Sequence, residues 1–199
     1  MSYILKQVEE LNYDEIIIIN GIIRSGFIEA ICPTRIIDVF IEKLISLMND
    51  ENLYEEYQIQ LILITIDNII INCSPIIYLE KFNEVEIIVN LFVFTCDVLP
   101  DSIKGYSYKL LISFIKFTQM SEKLLEIDGF IPLLMHECQN NIYALALLEE
   151  VLDCNIRNEI PLPELSEEDI CTIEELIQSN DESFAKIAQN IKNMVISSE

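Results

Sequence analysis

The sequence predicts an all-α protein, a short array of about three to four helical repeats followed by a C-terminal helical pair. Three observations lead there. Gly and Pro are scarce, at 4 and 6 in 199 residues, so few turns are signalled and long helices are favoured over many short strands. A Tyr recurs ahead of aliphatic residues four, five and nine positions further on, a spacing that keeps them on one broad helical face. An apolar pair with a Leu three residues later precedes three of those copies.

The Tyr-led pattern opens at Tyr13 with Ile17, Ile18 and Ile22. It returns at Tyr57 with Leu61, Ile62 and Ile66, at Tyr106 with Leu110, Leu111 and Ile115, and at Tyr143 with Leu147, Leu148 and Leu152. In a chain this rich in Ile one match carries little, and four carry more. The preceding triplets are Phe40-Ile41 with Leu44, Ile87-Ile88 with Leu91, and Phe130-Ile131 with Leu134. Each unit therefore reads as a helix, a turn and a longer helix. The turns fall at Asn49-Asp50-Glu51-Asn52, Pro100-Asp101 and Gln139-Asn140-Asn141. The spacing of the tyrosines centres near the ~40–47 residues of helical solenoid repeats.

From Ile37, apolar residues recur at Phe40, Ile41, Leu44 and Met48, with Asp38, Glu42, Ser46 and Asn49 on the wet side. The stretch Leu61 to Ile71 is apolar almost all round, as in a helix sandwiched between neighbours. Its Ile content also suits a strand, but the run from Leu53 to Asn72 is too long for one. Residues 1–154 thus read as the repeats. Residues 155–165, with Pro161 and Pro163, read as a linker, and 166–199 as an acidic helical hairpin that caps the array or serves as a binding arm. Ser166 with Asp169 predicts a capping box; Ile170, Ile173 and Ile177, then Phe184, Ile187, Ala188, Ile191 and Val195, form the two apolar faces.

Hydrophobic residues make up 51% and charged residues 23%, which excludes a disordered polymer. The net charge of −22 opposes a phosphate backbone or an anionic membrane and favours a partner protein with a basic segment. Solubility of an Ile-rich chain is an equal reading of the same acidity. The six cysteines form no C-x-x-C pair, and Glu9 and Glu10 stand where a secretory leader would be basic. Reduced thiols and a cytoplasmic or nuclear location follow, where the Asn72-Cys73-Ser74 sequon goes unused. Tyr57 to Leu79 carries one charge, Asp67, yet Gln58, Gln60, Asn68, Asn72 and Ser74 make it a core helix and not a membrane span.

Gly129-Phe130-Ile131-Pro132-Leu133-Leu134, a polar turn, and then Ile142-Tyr143-Ala144-Leu145-Ala146-Leu147-Leu148 resemble an armadillo repeat. In that family a Gly ends a short helix, a second helix opens on an apolar pair often followed by Pro, and a longer third helix follows. Ser25-Gly26-Phe27-Ile28 echoes the start upstream. The resemblance covers residues 13 to 154; HEAT repeats read nearly as well. It implies a right-handed superhelix. Cys138 to Leu152 is similar to the closing repeat of importin-α-type adaptors, which implies a groove for basic peptides lined by Trp with Asn four residues on. Here Asn68 takes the Asn position but Ile64 the Trp position. Ser113 with Phe117 and Glu150 with Cys154 hold the later ones, and the chain has no Trp. The basic N-terminal segment of those adaptors is also missing. The resemblance implies the scaffold more than the import-cargo site.

His136, two residues from Cys138, lacks the further ligands a metal needs. The carboxylate pairs Glu55-Glu56 and Glu149-Glu150 and the run Glu167-Glu168-Asp169 read as solvated faces, the last favoured by the helix dipole. There is no glycine-rich phosphate loop, G-x-S-x-G or H-E-x-x-H. The expectation is a non-enzymatic scaffold or adaptor, without metal or cofactor, that binds a protein partner on an acidic surface. Its candidate binding residues are Thr65, Asn68, Lys109, Ser113, Lys116, Glu149 and Asp153, polar positions on the long helices. Tyr57, Tyr106 and Tyr143 are expected to pack between units. Two other readings stay open. One is an Hsp70 cofactor or subunit of a larger assembly; the other is a helical bundle like the acidic Bcl-2-like modulators of large DNA viruses, with a groove for an amphipathic helix.

Overall fold

The computed structural model describes residues 13–25, 33–49, 55–72 and 87–197. Every regular element among them is helical: α1 Tyr13–Arg24, α2 Pro33–Asn49, α3 Glu56–Asn72, α4 Ile87–Asp97, α5 Asp101–Thr118, α6 Ser121–Leu125, α7 Phe130–Cys138, α8 Ile142–Arg157, α9 Glu167–Ile177 and α10 Glu182–Ile196. The chain forms two compact units, Met1–Phe94 and Thr95–Glu199, with α4 running across the boundary. Asp50-Glu51-Asn52, Gly26-Phe27-Ile28, Cys32, Cys73, Ser74 and Pro75 lie outside the described residues.

In the first unit α3 packs against both α1 and α2. Two-sided packing explains why α3 is apolar round most of its circumference: Ile59, Ile62, Leu63, Ile66, Ile69 and Ile70 are all buried. From α2, Phe40, Leu44 and Leu47 enter the core, and from α1, Ile16, Ile19 and Ile23. The Tyr13 copy therefore departs from the expected pattern, because Ile17 and Ile18 are 44% and 58% exposed. A nearly continuous run of Ile leaves the inward face of α1 undecided by sequence. Buried Asn20 marks that face, since the Asn68 side-chain amide donates to its Oδ1 at 2.9 Å.

In the second unit α5 lies against α8, and α7 and α10 also pack on α8. Tyr108, Leu111 and Phe114 of α5 and Leu145, Leu148, Val151 and Leu152 of α8 are all fully sealed from water. The last turns of α4 rest against α5 through the hydroxyls of Thr95 and Ser107 and the contact of Cys96 Sγ with the Tyr108 hydroxyl. Gln119, left-handed at φ 60°, closes α5, and its N–H donates to the Ile115 carbonyl. The short α6 follows, and Gly129 at φ +75° turns the chain into α7, a conformation that costs a residue with a Cβ. All three apolar triplets, from Phe40, Ile87 and Phe130, are buried.

α8 continues to Arg157, so residues 155–157 are helical where the sequence reading starts the linker. The reason is Asn155, which is completely buried. Its Oδ1 accepts from the Ser121 hydroxyl at 2.6 Å, and its amide donates to the Pro161 carbonyl at 3.1 Å. The hairpin of α9 and α10 belongs to this unit. Ile173, Ala188 and Ile191 are its buried residues, and the Asn190 amide donates to Glu149 of α8 at 2.7 Å. The capping box at Ser166 forms with both bonds: Asp169 N–H to Ser166 Oγ and Ser166 N–H to Asp169 Oδ2.

Candidate interaction surface

Gly105 sits in the first half of α5 with no side chain. The Tyr143 ring of α8 uses that space, its Cδ2 lying 3.1 Å from where a Cβ on Gly105 would be. The ring is held there because Asn141 caps α8, its side chain accepting from the Tyr143 N–H at 3.0 Å. One helical turn beyond Gly105, Lys109 places its Nζ 4.2 Å from the Tyr143 ring centre and 5.6 Å from that of Tyr106. Together these residues, with Asp101, Asn140 and Phe184, line an open cleft of about 380 Å³. Tyr143 is 36% exposed and Tyr57 50%, so neither is the buried inter-unit packing residue that the repeat suggested. They are partly wet, and Tyr143 serves the cleft.

A second polar cluster joins the C-terminal halves of α5 and α8. Glu150 accepts from Arg157 Nη2 at 2.8 Å and lies 3.5 Å from Lys116 Nζ. Arg157 also bonds Asp153 at 2.9 Å and the Gln119 side-chain oxygen at 3.1 Å, and Asn158 donates to that same oxygen. Burial raises the Glu150 carboxyl above its ordinary range, against the opposing pull of Lys116 and Arg157. Near the cleft, Lys104 bonds Glu137 at 2.7 Å and Asp101 at 3.3 Å. Burial disfavours its ammonium, but these two carboxylates outweigh burial and raise its pKa.

The candidate residues divide accordingly. Thr65 is inside the first unit, its hydroxyl donating to the Leu61 carbonyl at 2.7 Å, and Ser113 is buried in α5. Neither faces a groove: both are small hydroxyls on the apolar side of a tightly packed helix. Asn68 is engaged with Asn20. Lys116 and Asp153 belong to the Glu150–Arg157 cluster, Glu149 fastens α10, and Lys109 lines the cleft. Sequence reasoning passed over Gly105, Gln119 and Arg157. Gly105 was legible as the one glycine within a long helix of the second unit; Gln119 meets Arg157 across 38 residues and leaves no local trace.

The hairpin and the residues just before it carry a dense run of acids. Between Glu164 and Glu182 there are eight acids and no Lys or Arg. Glu167, Glu168, Glu174, Glu175 and Glu182 are exposed, and of these Glu174 holds a cation, Lys192, at 2.7 Å. Cys138 and Cys154 are buried, Cys171 is exposed, and burial pushes the Cys96 thiol up to about 11. His136 is exposed, and among the described residues no group of three or more His, Cys, Asp or Glu is arranged to hold a metal ion. Comparison with protein-family models, with curated proteins and with solved structures finds no match to this chain.

Proposed function

We propose that this chain is a non-catalytic helical-repeat module, of armadillo type, that binds a protein partner through a basic segment. Support for the repeat comes from the second unit. A short helix, a left-handed glycine, a helix opened by a buried apolar pair and a longer helix follow one another from Ser121 to Arg157. The observation that carries the binding reading is the exposed acidity of α9 and the start of α10, where Glu167, Glu168, Glu175 and Glu182 meet no cation among the described residues. Asp101, Glu150 and Asp153 on α5 and α8, by contrast, are already matched by Lys104, Lys116 and Arg157. A basic segment gains most where carboxylates have no cation of their own, so the hairpin is its place on this unit.

The test is calorimetric titration of an Arg- and Lys-rich peptide into the intact chain. Affinity falls steeply as salt rises from ~0.05 to ~0.5 M, because the contacts are exposed and screened. A variant with Glu167→Gln, Glu168→Gln, Glu175→Gln and Glu182→Gln binds at least about tenfold more weakly, with unchanged helicity. Affinity indifferent to both salt and the four substitutions sinks the electrostatic reading.

A further inference from the structure

Lys109 runs against the charge balance around it. The chain has 34 acids for 12 Lys and Arg, and in the second unit Lys104, Lys116, Lys123, Arg157 and Lys192 each meet a carboxylate. Lys186 is a plain surface residue. Lys109 is half-buried in a cleft and has no carboxylate partner among the described residues; its ammonium lies over two tyrosine rings instead. The acid that shares the cleft, Asp101, is paired with Lys104. We propose that this cleft binds an acidic residue of a partner protein together with the aromatic residue beside it.

The chemistry of the lining supports that ligand. Ring faces stabilise an ammonium through their quadrupole but accept its hydrogens poorly, so the donors of Lys109 stay available for a charge-assisted bond to a carboxylate. Stacking on Tyr143 also restrains the lysine stem before binding, which lowers the ordering cost. The Asn140 side chain at the rim has no hydrogen-bond partner among the described residues and supplies a second donor. Tyr143 and Phe184 offer apolar wall to a flat ring. The cleft volume suits two side chains, near the lower end of ordinary ligand sites. The ligand charge is opposite to that of the hairpin's partner, so the inference stands apart from the function proposed above.

The experiment titrates the intact, isotope-labelled chain with acetyl-Gly-Glu-Phe-Gly-amide and follows its amide spectrum. Saturable shifts at Gly105, Lys109, Asn140 and Tyr143 are expected. The Gln analogue of the peptide should bind about tenfold more weakly, the step from a charge-assisted to a neutral bond. Lys109→Gln, which breaks no ion pair, should abolish the shifts while thermal unfolding stays in place. Glu167→Gln, Glu168→Gln and Glu175→Gln together should leave them intact, which separates this site from the basic-segment reading. Equal affinity for the Glu and Gln peptides, shifts that survive Lys109→Gln, shifts centred elsewhere, or none at about 10 mM peptide would each overturn the proposal.

Discussion

At the scale of single residues, Gly105 shows how small differences decide an outcome. Ala in mid-helix is favoured over Gly by about 1 kcal/mol. Against that, the new methyl would lie 3.1 Å from Tyr143 Cδ2, close enough to force the ring outward. Because the ring is partly exposed it can give way, and the two effects nearly cancel. Gly105→Ala should change urea-unfolding stability by less than about 1 kcal/mol. It should nevertheless weaken the nuclear Overhauser contact between the Lys109 side chain and the Tyr143 ring. Asn155 is the opposite case. Replacing it with Leu strands the buried Ser121 hydroxyl and removes the donor to the Pro161 carbonyl, at about 2–4 kcal/mol by the same measurement. Neither role follows from residue type: a polar residue just before a proline-containing stretch reads as linker until its distant partner is known.

At the scale of elements, the helices were legible wherever the apolar pattern had a polar counter-face. α2 buries Phe40, Ile41 and Leu44 of its expected stripe, α10 buries Ala188 and Ile191 of its own and leaves Phe184, Ile187 and Val195 half-buried, and the capping box at Ser166 was visible from two residues three apart. Ser166→Ala should cost about 1 kcal/mol and show up first as faster amide exchange in the opening turn of α9. α1 was misread for the converse reason. With Ile at 16 to 19 and again at 22 and 23, every rotation of the helix buries isoleucine, so only the Asn20–Asn68 bond distinguishes them. The candidate site suffered likewise. Thr65 and Ser113 are polar by composition, yet small hydroxyls can bond their own helix and sit inside, as Thr65 does with Leu61.

At the scale of the whole molecule, the charge of −22 sets the response to solution conditions. Self-repulsion is relieved by screening, so the melting temperature should rise by several degrees between ~0.02 and ~0.5 M NaCl. Two of the shifted groups, Glu150 and Lys104, act at different ends of the pH scale. The Glu150 carboxyl, raised by burial, binds its proton more readily folded than unfolded. Stability is therefore gained as pH falls toward the ordinary glutamate range and lost as pH rises through the elevated pKa. Melting curves at pH 5 and 8 should differ less in Glu150→Gln than in the parent chain. Lys104, also raised, contributes fully below the ordinary lysine pKa, and that contribution disappears only in strong alkali.

The knot at Asn155 bears on how this chain can be rearranged. Arrays of helices lengthen by duplication of a unit, which requires a seam that can be opened and closed with like surfaces. After Cys154 no such seam exists, because Asn155 reaches back to Ser121 and forward to Pro161 within one turn of helix. A copied unit spliced there would part those bonds and place an unsatisfied amide in its own interior. Growth or shuffling would have to enter upstream, leaving α8 and the acidic hairpin to travel as one inherited piece.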